Sequence, residues 1–140
     1  MKKVLISLPI EDKEDVLIER RIQRIKRIYC NFLKVNPKKI QFVDLFHICY
    51  SLIKNNEDAV EELNKQKEPD LIWLGASIVG MSDIDEIVFS NDWKKSRRCR
   101  FEEMIAKEYG IPMIKLDDVM KEFKDDFDKL ITIKKIETEE

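Results

Sequence analysis

A strand-helix-strand rhythm in the second half of the chain limits its fold more than any other feature. Glu86-Ile87-Val88-Phe89 is a short run of strand formers, residues 98–109 carry a helical pattern stopped by Gly110, and Pro112-Met113-Ile114-Lys115-Leu116 is apolar again. Two strands joined through a helix are parallel, because a parallel pair needs a crossover and cannot be closed by a tight turn. A parallel sheet is covered on both faces, so its strands read as near-continuous apolar runs. Val4-Leu5-Ile6-Ser7-Leu8, stopped by Pro9, reads in the same way.

The rest of the chain extends the pattern. From Asp15 to Leu33 apolar residues recur at Ile18, Ile22, Ile25, Tyr29 and Phe32, with Arg20, Arg21, Arg24 and Arg27 on the other side, which predicts an amphipathic helix. Asn36-Pro37 ends it, and Ile40-Gln41-Phe42-Val43 reads as a second strand leading into a helix through His47 and Leu52. Further helices are expected over residues 56–66, 71–81 and 117–130, the last capped by Asp117 or Asp118, and residues 131–136 read as an edge strand. This order predicts one doubly wound α/β domain over residues 1–133, flavodoxin/Rossmann-like, with a mostly parallel sheet flanked by helices. An acidic tail, residues 134–140, follows.

Composition removes several functions. The chain of 140 residues has the size of one domain, and its 26 basic and 28 acidic residues nearly cancel, which argues against a partner that is polymeric nucleic acid. Cys30, Cys49 and Cys99 are odd in number and widely spaced, fitting neither a disulfide framework nor a zinc site, so neither a metal nor a cofactor is expected. The opening apolar run is too short for a signal segment, and no stretch approaches the ~18 apolar residues of a membrane span. A soluble, cytoplasmic protein without a membrane partner is the expectation.

Ligands on open parallel sheets bind beyond the carboxyl ends of the strands. That rule selects the loop Ser7-Leu8-Pro9-Ile10 and the loop Ser90-Asn91-Asp92-Trp93-Lys94-Lys95-Ser96, which leads to the helix carrying Glu102. If the two strands are neighbours, the loops share a pocket.

The stretch Asp85-Glu86-Ile87-Val88-Phe89-Ser90-Asn91-Asp92-Trp93-Lys94-Lys95-Ser96-Arg97-Arg98-Cys99-Arg100-Phe101-Glu102, continuing to Tyr109-Gly110-Ile111-Pro112, resembles the signature of the nucleoside 2-deoxyribosyltransferase-like superfamily. It is most similar to a small branch common in phages and low-GC bacteria. The opening Val4-Leu5-Ile6-Ser7-Leu8-Pro9-Ile10 is similar to the first strand and loop of that branch. The resemblance implies a retaining displacement at the anomeric carbon of a deoxynucleoside or its 5'-monophosphate, with Glu102 as nucleophile. It places Ser96 where phosphate-accepting members carry a serine, with Arg97 or Arg98 adding charge. It also implies a nucleoside or nucleotide as small-molecule partner and a homodimer, or a multiple of dimers, assembled through helices beside the pocket. Four positions depart from the pattern. Leu8 replaces a Gly, Leu5 a Tyr that orients the Glu, Ser77 an Asp that assists the leaving base, and Arg98 a Gly that lets backbone approach the ligand.

The same residues have plainer readings. A Glu early in a helix is an ordinary partner for the helix dipole, and a Ser directly before a helix is an ordinary cap. Trp93 and Trp73 read as packing residues, although Trp93 sits in a loop where it could also meet a ligand. His47 lies in an apolar run and reads as a core or interface residue, and Cys99 as a buried small hydrophobe despite its arginine neighbours. Two alternatives therefore stand beside an N-glycosidic transferase or hydrolase. One is a catalytically silent nucleotide sensor or sequestering module, and the other a structural oligomer whose pocket is filled by Leu8 and Arg98.

Overall fold

The computed structural model describes residues 1–10, 13–45, 58, 61–62 and 65–121. Its strands are β1 (Lys2–Ser7), β2 (Ile40–Asp44), β3 (Glu86–Phe89) and β4 (Met113–Lys115), and its main helices are α1 (Asp15–Leu33), α2 (Pro69–Met81) and α3 (Arg97–Glu108). The four strands form one sheet in the order β2-β1-β3-β4, and all three pairings are parallel. The chain is thus the doubly wound, flavodoxin/Rossmann-like α/β fold that the strand-helix rhythm predicts. Leu5 pairs with Ile87, as expected from the two apolar runs.

Side-chain alternation along the strands divides the core. Val4, Ile6 and Leu8 of the first segment and Val88 of β3 pack on Ile18, Ile22, Ile25 and Tyr29 of α1. Leu5, Ile87 and Phe89 face the other way, against Met81 of α2 and Cys99 and Ala106 of α3. Strands whose neighbours along the chain point to opposite faces need apolar residues at every position, which is why these runs show no polar alternation. Ile22 is wholly buried, and each such side chain stabilises the fold by about 1.5–3 kcal/mol.

The helix ends follow from local chemistry. Lys34 closes α1 in the left-handed conformation at φ 54°, a position usually given to glycine, and the Asn36 side chain accepts a bond from the Lys38 N–H at 3.0 Å to start the next turn. Gly110, at φ 67°, turns the chain from α3 toward β4. Residues 116–121 are helical, so this helix begins before the expected caps Asp117 and Asp118. At the amino ends of the strands the Tyr29 hydroxyl donates to Glu86 at 2.5 Å, and burial pushes the phenol up from its ordinary range. His47, Cys49, most of the helix expected over 56–66, and everything expected beyond residue 121 lie outside the described residues.

Candidate functional site

The chain runs from β1 to β2 on one side and then crosses over to β3 and β4 on the other, which makes the carboxyl ends of β1 and β3 the switch point of the sheet. The two loops named above meet there: the Ser90 N–H donates to the Ser7 carbonyl at 2.9 Å. Ser7, opposite Phe89 in the register, shares the sheet face that looks toward α2 and α3.

Glu102 lies in that space, in the second turn of α3, with only 1% of its surface exposed. A carboxylate so enclosed requires donors on both oxygens. The Ser7 hydroxyl donates to Oε2 at 2.5 Å, while the Ser77 hydroxyl, from α2, donates to Oε1 at 2.6 Å. Arg98, one turn earlier on α3, donates to Oε1 from Nη1 at 2.5 Å and to the Leu8 carbonyl from Nη2 at 2.6 Å. Three segments distant in sequence thus converge on one carboxylate. Cys99 is fully enclosed beside this cluster, and burial pushes its thiol up despite the nearby Arg98 charge.

An open groove of about 420 Å³ runs along the outer side of the cluster. Lys95, Ser96, Arg97 and Arg98 form its polar wall at the start of α3, Leu71 and Leu74 of α2 with Phe101 of α3 form its apolar wall, and Glu68, just before α2, adds one acidic group to the lining. Ser96 caps α3, its hydroxyl accepting from the Cys99 N–H at 3.3 Å. Arg98 borders the groove and touches Glu102, whereas Glu102 does not border the groove itself.

The expected site residues separate into two groups. Ser7, Ser77, Ser96, Arg97, Arg98 and Glu102 gather on the α2–α3 side. Asn91 instead borders a larger, more apolar groove of about 830 Å³ made with Ile28 and Phe32 of α1. Asp92 pairs with Arg21 of α1 and accepts from the Ser90 hydroxyl at 2.8 Å. Burial works to raise the Asp92 carboxyl, but the hydrogen bonds from Arg21 and Ser90 and the Arg21 charge outweigh it and leave the carboxyl below its ordinary range. Trp93 is a core residue, 5.3 Å from the Phe89 ring, with Nε1 donating to Asp117 at 3.2 Å. Leu8 turns its side chain to the α1 core, so it does not fill the groove, while Pro9, lacking an N–H, is buried and Ile10 half-buried.

Several groups at the site are not among the expected site residues. Phe101 follows Arg97 by one helical turn, so helical spacing places both on the groove face. Leu71, Leu74 and Arg21 are brought in by tertiary packing. Among the described residues no set of three or more His, Cys, Asp and Glu is placed to hold a metal ion, and no helix is long and apolar enough to cross a membrane.

No protein-family model matches this chain, and neither a curated protein nor a solved structure matches it. The fold and the cluster therefore define its class by themselves: a parallel α/β protein with an enclosed carboxylate at the switch point of its sheet and a basic-rimmed groove beside it.

Proposed function

We propose that the chain binds a (deoxy)nucleoside or its 5'-monophosphate at the carboxyl edge of β1 and β3, with Glu102 directed at the sugar. One observation carries this reading: an enclosed carboxylate, gripped by Ser7, Ser77 and Arg98, sits beside a groove with a basic wall and an apolar wall. A nucleotide has the same two characters, an anionic group and a flat, weakly polar base. Lys95, Arg97 and Arg98 with the first amides of α3 suit the anion, and Phe101 with Leu71 and Leu74 suits the base.

The chemistry that fits is N-glycosidic transfer or hydrolysis. Glu102 would attack the anomeric carbon, the bond to the base would break, and water or a second base would release the sugar. Ser7 takes the orienting part on Oε2. A second reading, a silent nucleotide-binding module, is favoured by a specific observation: both Glu102 oxygens are occupied and the expected leaving-group acid is Ser77, a donor to Glu102.

A homodimer through α2 and α3 is part of the proposal, supported by the exposure of Val79 at 72% and Met104 at 59%. Cytoplasmic residence is part of it too, supported by the free, buried thiols of Cys30 and Cys99. Calorimetric titration with deoxynucleoside monophosphates, followed by chromatography for free base, tests the function. Binding with base release supports the enzyme, and binding without release supports the silent module. No binding of any nucleoside or nucleotide contradicts both.

A further inference from the structure

Arg98 stands between two environments. The residue lines the open groove, while Nη1 donates to Glu102 Oε1 at 2.5 Å and Nη2 to the Leu8 carbonyl at 2.6 Å. The side chains of Arg98 and Glu102 are only 4% and 1% exposed, so neither group is satisfied by water. A planar fork of this kind prefers a partner offering two oxygens in one plane, which phosphate does and a lone carbonyl with one carboxylate oxygen does poorly. An anion entering the groove therefore competes with Glu102 for the same guanidinium.

Stripping a buried carboxylate of its countercharge is ordinarily prohibitive. Here Ser7 and Ser77 continue to donate to Oε2 and Oε1 when the guanidinium leaves, so each oxygen keeps a hydrogen bond. Arg98 lines the groove and touches Glu102, which does not line it, so a shift of the guanidinium changes the cover of the carboxylate on that side.

We infer that Arg98 is a specificity-determining exchange residue: it passes from Glu102 to the anionic group of the ligand, uncovers the carboxylate, and thereby selects phosphorylated over neutral nucleosides. This rests on the nucleotide reading for its ligand, although the exchange itself needs only an anion. A neutral nucleoside has nothing with which to draw Arg98 away, and Glu102 stays covered in its presence. Coupling of this kind is reciprocal, so loosening the Glu102 contact tightens the anion.

The test is a titration of the wild type and Glu102→Gln with inorganic phosphate, deoxyadenosine and deoxyadenosine 5'-monophosphate. The substitution removes the carboxylate's charge and leaves a weaker bond from the guanidinium to a neutral amide oxygen, which corresponds to about ten-fold tighter phosphate binding in the variant. The monophosphate should follow phosphate, and deoxyadenosine should bind more weakly than the monophosphate and change less than about two-fold between the proteins. A folded Glu102→Gln protein that binds phosphate equally or more weakly overturns the exchange, and so does a wild type that takes up no phosphate. If the variant does not fold, a crystal of the wild type grown with phosphate decides. Arg98 Nη1 should have left Glu102 Oε1 for the anion, and a bound phosphate with that contact intact refutes the exchange. The two proposals fail separately: phosphate exchange with no added affinity for the monophosphate sinks the nucleotide reading, whereas nucleotide binding with Arg98 unmoved sinks the exchange.

Discussion

Replacing Arg98 by Met keeps the volume and removes the charge from the enclosed pair. The hydrogen bonds to Glu102 and to the Leu8 carbonyl are lost with it. Bonds to charged groups contribute about 1.5–3 kcal/mol each, so the pair gives roughly 3–6 kcal/mol. Breaking one partner of a buried ion pair costs about 3–5 kcal/mol by a separate route, and the 4% and 1% side-chain exposures leave little solvent to soften it. The expected loss for Arg98→Met is therefore about 4 kcal/mol, read as a fall of roughly 2 M in the urea midpoint at a slope near 2 kcal/mol per molar. Glu102→Leu strands the guanidinium instead and should lose a similar amount. The double variant removes both charges and leaves the Ser7 and Ser77 hydroxyls short of an acceptor and the Leu8 carbonyl short of the Arg98 donor, a loss of about 2–3 kcal/mol. The cycle should thus show a coupling of at least about 3 kcal/mol by urea unfolding followed through circular dichroism. Single losses that add to the double loss within about 0.5 kcal/mol would refute a functional pair.

Lys34→Gly should raise stability by about 0.5–1 kcal/mol in the same assay, because the residue holds φ 54° with a side chain, and a drop in midpoint would contradict that. Acid should destabilise the fold through Asp92 and Glu103. The first is lowered by its bonds from Arg21 and Ser90 against burial, and the second chiefly by Lys107 and also by Lys115. A lowered folded value means stability that is complete above the ordinary carboxylate range near pH 4 and lost as pH falls through the folded value. Asp92→Asn with Glu103→Gln should flatten the pH profile of the midpoint below about pH 5, and an unchanged slope there would count against the two pairings. In a Cys49→Ser background, Cys30 and Cys99 should react with a thiol reagent only at the rate of unfolding, since both are buried and burial raises both thiols; rapid labelling of Cys99 in the folded protein would contradict its enclosure.

How much was legible differed by the kind of interaction. Periodicity places α1 over Asp15–Leu33, and the parallel pairing of Leu5 with Ile87 follows from two apolar runs flanking a helix. Strand alternation also puts Leu5 and Ser7 on one face, yet only the packed fold shows that the Ser7 hydroxyl reaches Glu102. Arg98 and Glu102 are one helical turn apart, a spacing visible in the sequence, but only the packed fold shows that they face inward together. Nothing in the sequence pairs Asp92 with Arg21, which is distant along the chain and meets it only when α1 covers the sheet. Asp117 reads as a helix cap by residue type, whereas its carboxylate serves Trp93 across the fold.

We propose that a nucleotide occupies the basic-rimmed groove beside Glu102, and an NMR titration of the labelled protein with deoxyadenosine 5'-monophosphate tests this, because the two grooves have separate reporters. Saturable shifts are expected at Ser7, Ser96, Arg97, Arg98 and Phe101, with the Arg98 guanidinium resonances among the most affected. Shifts confined to Ile28, Asn31 and Met120 of the apolar groove, or no shifts at all, would contradict it.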